Sequence, residues 1–164
     1  MKQDRFLIGI LVGIGVLIAI ALTLFFTRQD TQAYMSDDTP EGVVHNYALA
    51  VFNGDYQKAY GYLAEKERKP TYEQFRTPFL NHYVSPNSVG LEIGETKFDG
   101  NEAFVTVYVI YNPSDPFSSS YRGQEIAHLV QQSGDWKILQ MPYNLWYYDW
   151  YQIPPHELNP APVY

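Results

Sequence analysis

From Phe6 to Thr27 the chain reads FLIGILVGIGVLIAIALTLFFT and carries no charged residue. At about 1.5 Å of rise per residue, some 20 helical residues span a hydrocarbon core of roughly 30 Å. The run can serve as a membrane anchor, as a cleaved signal peptide, or as a core helix that is apolar on all sides. The apolar region of a signal peptide is usually about 7–15 residues, and the only small-residue pair with cleavage-like spacing, Thr31 and Ala33, lies well past this run. The anchor is the better reading. Lys2 and Arg5 precede the run, whereas Arg28 is the only basic residue soon after it. That asymmetry predicts a short cytoplasmic tail over 1–5, a transmembrane signal anchor over 6–27, and an extracytoplasmic domain beyond it, held at the cell membrane.

Residues 28–38 are polar, lack apolar periodicity and read as a linker. Setting aside Lys2, Asp4 and Arg5 from 11 basic and 18 acidic residues leaves 9 and 17, a formal charge of −8 on the exported part. That charge disfavours nucleic acid and anionic headgroups as partners. The chain has no cysteine, so thiol chemistry and cysteine metal sites are excluded. A domain of about 125 residues can build a sufficient core without disulfides.

Thr39 to Leu63 (TPEGVVHNYALAVFNGDYQKAYGYL) reads as two helices meeting at a corner. Thr39 is a natural N-cap, Pro40 suits the first helical position, and Glu41 suits the positive end of the helix dipole. Val44, Tyr47, Ala48, Val51 and Phe52 recur at helical spacing. Gly54 can end the helix in a left-handed conformation, and Asp55 can cap the next, with its stripe of Tyr56, Ala59, Tyr60 and Leu63. After a charged connection, Thr71 and Gln74 have capping-box spacing and predict a third short helix, interrupted near Pro78.

From Val89 the period becomes two. Val89, Leu91 and Ile93 mark one strand toward Phe98, and Asp99-Gly100-Asn101 is a hairpin signal. In the next strand Ala103, Val105, Val107, Val109 and Tyr111 share one face, and Phe104, Thr106, Tyr108 and Ile110 the other. Residues 112–119 read as a loop, Tyr121–Gln132 as a third strand, 133–135 as a turn and Trp136–Met141 as a fourth. Helices followed by an antiparallel meander argue for an α+β domain with its helices on one side of the sheet. The tail over 143–164 crowds Tyr143, Trp146, Tyr147, Tyr148, Trp150 and Tyr151 together, then carries Pro154, Pro155, Pro160 and Pro162, which favour an extended path.

The order of three helices, hairpin strands and a late Gly-Asp-Trp-Lys-Ile segment (134–138) resembles the NTF2-like superfamily over Thr39 to Met141. The resemblance implies an NTF2-like cone over 39–142, with about three helices packed on a curved antiparallel sheet. A cystatin-like helix-on-sheet domain is the alternative. NTF2-like domains include isomerases and dehydratases that use a carboxylate or His base and Tyr donors inside the cone. Tyr60, Tyr83, Tyr108 and His128 are the candidate pocket lining under that reading, and Glu125 is the best-placed carboxylate. His45, His82 and His156 are scattered. No paired metal-ligand spacing and no nucleophile or phosphate-loop motif is present, so no catalytic residue, metal or cofactor is assigned.

Two surfaces favour a non-enzymatic interaction or assembly module over an isomerase-like or small-molecule-binding one. Phe104, Tyr108 and Ile110 make the second face of the main strand more apolar than a solvated face, and many NTF2-like domains pair through that side of the sheet. The tail aromatics Tyr143, Trp146, Tyr147 and Trp150 form the other surface, unless they fold back to cap the cone. The expected partner is a second copy or another envelope protein.

Overall fold

The computed structural model describes the backbone of residues 5–27, with side chains from Ile8 to Leu24, and residues 33–111 and 121–152. The expected loop over 112–119, the tail prolines and His156 lie outside the described residues, as do most of the cytoplasmic tail and the first part of the linker. The chain divides into two compact units, Met1–Ala33 and Tyr34–Tyr164.

The first unit holds helix α1, Arg5–Thr27, 23 residues long. Every described side chain on it, from Ile8 to Leu24, is exposed. Among the described residues, no helix is long and apolar enough to cross a membrane.

The second unit is α+β: helices α2 (Pro40–Phe52), α3 (Tyr56–Gly61) and α4 (Tyr72–Leu80) precede strands β1 (Val89–Asp99), β2 (Glu102–Tyr111), β3 (Tyr121–Gln132) and β4 (Asp135–Gln140). The strands form an antiparallel meander in the order β1-β2-β3-β4. The helix signals act as local chemistry requires. The Thr39 side chain accepts from the Gly42 N–H at 3.1 Å, and the Asp55 carboxylate from the Lys58 N–H at 3.1 Å. Gly54 takes a φ of 72° at the corner between them. Both arms of the Thr71–Gln74 capping box form.

Residues 34–38, which read as linker, are tied to α2. Asn46, 1% exposed, donates to the Met35 carbonyl and to Asp37, and accepts from the Met35 N–H. A Cβ on Gly42 would fall on the Ser36 carbonyl. Tyr62 donates to Asp37 at 3.4 Å. Burial and this carboxylate push the Tyr62 hydroxyl up to about 12.

The inner face of the sheet carries Ala103, Val105, Val107, Val109, Ala127, Leu129 and Ile138, all fully buried. Against them pack Val44, Tyr47 and Val51 of α2, Phe75 and Phe79 of α4, and a segment beyond β4. That segment contributes Met141, Leu145, Trp146 and Trp150, all buried. Its anchoring is specific. Tyr47, completely buried, donates to the Leu145 carbonyl at 2.8 Å. Trp150 stacks on Phe75 at 4.7 Å and meets Trp146 edge-on at 4.8 Å. Tyr151 donates to the Ala64 carbonyl at 2.6 Å.

Sequence predicts a break at Pro78, yet α4 runs through it to Leu80. Proline has no N–H to give the carbonyl four residues back. Here that carbonyl belongs to Gln74, and the Trp150 indole N–H reaches it at 3.4 Å. A residue from the end of the domain therefore fills the gap that the helix leaves.

Trp150→Ala is expected to destabilise the domain by about 3–5 kcal/mol, as removal of a buried aromatic side chain does. Urea denaturation checks this, and a loss under 1 kcal/mol would contradict the packing described. Alkaline pH gives a separate check. Unfolded tyrosines ionise near pH 10, whereas Tyr62 keeps its proton to about 12. The unfolded state therefore loses its proton first, so the contribution of Tyr62 is full below pH 10 and is lost as pH rises toward 12. Tyr62→Phe should make stability fall less steeply across that window.

Candidate functional site

An enzyme built on such a cone would gather polar groups in a cavity under the sheet. The four residues expected to line one do not meet. Tyr60 on α3 is half-buried and donates to the Pro70 carbonyl at 2.9 Å. Tyr83, just beyond α4, is 68% exposed. Tyr108 and His128 belong to the opposite face of the sheet, because strand alternation points them away from the buried Val107, Val109, Ala127 and Leu129. Glu125 does lie on the inner face, but it is engaged near the sheet's end, accepting from the Tyr143 N–H at 3.1 Å. His45 contacts neighbouring Asn46, and His82 sits in a left-handed turn with φ 58°. Among the described residues there is no group of side chains with metal-ligand geometry.

The interaction-surface candidates divide. Trp146 and Trp150 are 6% and 4% exposed and belong to the core, so they are not available to a partner. The tail's first half folds back because its rings complete a cavity bounded by Tyr47, Phe75 and Phe79, where each buries more apolar area than at a surface. Tyr143 stays 67% exposed, and Tyr147 is half-buried. Phe104 and Ile110 lie on the outer face of the sheet together with Tyr108 and His128.

This outer face is the candidate site. None of its residues on β2 and β3 is buried, from Phe104 to Ile110 and from Arg122 to Val130, and Ile126 at its centre is 54% exposed. The face is ordered by cross-strand contacts. Phe104 and His128 are direct partners, and their rings stack at 4.6 Å with planes 12° apart. The imidazole Nε2 lies 2.9 Å from the Glu102 carboxylate. On the neighbouring rows Arg122 reaches across β2 to Glu92 of β1 at 3.0 Å, with its guanidinium 3.8 Å above the Tyr108 ring.

Gly94 makes that arrangement possible. A Cβ there would stand 2.8 Å from a Tyr108 ring carbon and 3.3 Å from Thr106. Its bare backbone lets the Tyr108 ring lie along the sheet and present a flat side. The outcome is a surface of Phe, Tyr and Ile bordered by the Arg122–Glu92 ion pair and the His128–Glu102 contact. Sequence alternation had marked Phe104, Tyr108 and Ile110. Arg122 and Gly94 escape notice in the sequence, because their roles depend on neighbours two strands or a dozen residues away.

No protein-family model matches the chain, and no curated protein matches it. Among solved structures, it is similar to a SEC-C motif containing protein from Rhodopseudomonas palustris. The two are 12% identical with a TM-score of 0.47, over 65% of this chain and 79% of that one. It is also similar to an uncharacterized cystatin fold protein from Novosphingobium aromaticivorans, at 12% identity and a TM-score of 0.42, over 65% of this chain and 99% of that one. Both scores lie below 0.5, and neither likeness carries an argument about function.

Gly94→Val should displace the Tyr108 ring from Arg122 and destabilise the domain by about 1–3 kcal/mol, as overpacking does. Glu92→Gln removes only a half-exposed ion pair and should change stability by less than about 1 kcal/mol. Denaturation of both variants checks the contrast; equal losses would contradict the role given to Gly94.

Proposed function

We propose that this chain is a membrane-tethered, extracytoplasmic module of NTF2-like type, and that it works by pairing with a second copy through the outer face of its sheet. The observation that carries the reading is the pairing of a filled interior with an apolar outer face that the described residues leave uncovered. Trp146 and Trp150 take up the space where a cone would hold a ligand. Phe104, Tyr108, Ile110 and Ile126 meanwhile remain at least partly exposed on a pre-ordered surface.

Association through such a face would bury apolar side chains at its centre and leave the polar pairs Arg122–Glu92 and His128–Glu102 at the rim, the usual anatomy of a specific interface. The Arg122–Glu92 pair has opposite charges side by side, so a symmetric partner can place Arg122 near Glu92 of the other copy without like-charge contact. The helix α1 supports the tether through its uncharged run, Phe6 to Thr27. Its 23 helical residues have an axial length of about 34 Å, enough for the hydrocarbon core. Lys2 and Arg5 ahead of the uncharged run, against Arg28 alone soon after it, favour the domain outside the cell. Anchoring in a plane also concentrates the copies, so a modest affinity suffices.

Sedimentation velocity of the full chain in detergent tests this reading. The wild type should form dimers, and Ile126→Glu should shift the equilibrium toward monomer at least tenfold without changing the circular dichroism. A wild type that stays monomeric at every concentration, or an Ile126→Glu variant that dimerises as well as wild type, overturns it.

A further inference from the structure

The edge of β3 offers a second surface. Strand β2 pairs with β3 from Tyr121 to Val130, but β4 pairs with it only from His128 to Gln132. Continuing the His128–Gln140 pair by two residues would bring Ile126 opposite Pro142. Proline has no N–H to donate, so the ladder ends there. The Gln131 N–H bonds to the Asn101 carbonyl, so the odd-numbered residues of β3 spend their main-chain groups on β2. Hydrogen-bonded pairs alternate along an antiparallel ladder, and the main-chain groups of Arg122, Gln124 and Ile126 therefore point away from β2. Among the described residues, no strand pairs with them on that side.

A hollow of about 450 Å³ lies beside this edge. Gln124, Glu125 and Ile126 form its wall on β3, and Gln140, Tyr143 and Tyr148 line it from the segment after the ladder. Tyr143 and Tyr148 are 67% and 62% exposed, so both rings are open to a ligand. Among the described residues that line the hollow, Glu125 alone is charged. One of its oxygens accepts from the Tyr143 N–H, and a carboxylate has a second oxygen to offer. Open tyrosine rings beside a carboxylate suit a cation, which ring faces and carboxylate both attract.

We propose that an extended segment of another protein adds a strand to β3 over Arg122 to Ile126 and places a Lys or Arg side chain in the hollow. In this mode main-chain hydrogen bonds give affinity, and the side-chain pocket gives specificity. Five residues of strand measure about 16 Å, enough for bonds at Arg122, Gln124 and Ile126. The chain's formal charge of −7 also favours a basic partner. Arg122 does not oppose one, since its guanidinium is held by Glu92 and lies over the Tyr108 ring. The inference stands apart from the pairing of copies, since it uses the edge of the sheet and not its outer face.

Nuclear magnetic resonance of the isotope-labelled full chain in detergent tests this with three acetylated and amidated pentapeptides. The first is Thr-Val-Lys-Val-Thr, the second has Glu in place of Lys, and the third is the Lys peptide with every amide N–H methylated. The Lys peptide should shift the amide resonances of Gln124 and Ile126 and slow their exchange with water. The Glu and methylated peptides should bind about tenfold more weakly. In Glu125→Gln, whose amide oxygen can still accept from the Tyr143 N–H, the preference for Lys over Glu should be lost. No shift with the Lys peptide at about 5 mM, or equal binding of the methylated one, overturns the strand addition. A preference for Lys that survives Glu125→Gln overturns the role given to the hollow. Gln124 and Ile126 N–H groups that already exchange slowly in the chain alone also overturn the proposal, because its own residues or a second copy then cover the edge.

Discussion

The packing of Leu145, Trp146 and Trp150 between the helices and the inner face of the sheet is the contact on which the rest of this domain depends. A sheet of four strands with helices on one side needs something to fill its concave centre, and the helices do not reach everywhere. Small residues occupy much of the inner face, with Ala103 and Ala127 among the valines. They leave room that only large rings can fill at the density of a protein interior. The segment after β4 supplies those rings, and the buried hydrogen bond from Tyr47 to the Leu145 carbonyl holds it in register.

Other features follow from that contact. The helix α4 passes through Pro78 because Trp150 occupies the acceptor that proline leaves idle. The α3–α4 connection is pinned by Tyr60 on the Pro70 carbonyl and Tyr151 on the Ala64 carbonyl. Residues 62–64 run beside the edge of β4, with the Ile138 N–H bonded to the Tyr62 carbonyl and the Ala64 N–H to the Ile138 carbonyl. That pairing covers part of an edge that would otherwise invite another strand.

The sequence made most of the local structure legible. Caps at Thr39, Asp55 and Thr71, the left-handed corner at Gly54 and the alternation of β2 are decided by neighbours within a few residues, so their signals survive without the fold. Pro78 misleads for the same reason, since a local rule cannot anticipate an indole donor 72 positions on. The pocket grouping of Tyr60, Tyr83, Tyr108 and His128 fails because chemical type says nothing about which face of a sheet a residue occupies in relation to a helix. For Tyr108 the alternation against Val107 and Val109 carried the answer. The anchoring of residues 34–38 by Asn46 has no sequence signal, since a lone asparagine in an apolar stripe looks like any tolerated polar residue.

By itself, the sequence determined the α+β order, the faces of β2, the uncharged run ahead of the domain and the absence of cysteine chemistry. These depend on composition and on periods of two or 3.6 residues, which are properties of short stretches. Only the tertiary structure decided that Trp146 and Trp150 lie inside while Tyr143 and Tyr83 lie outside. It also decided that Gly94 gives Tyr108 its place beneath Arg122. An aromatic residue gains by burial in a core or at an interface alike. Which of the two it occupies depends on the volume that residues far away in sequence leave open.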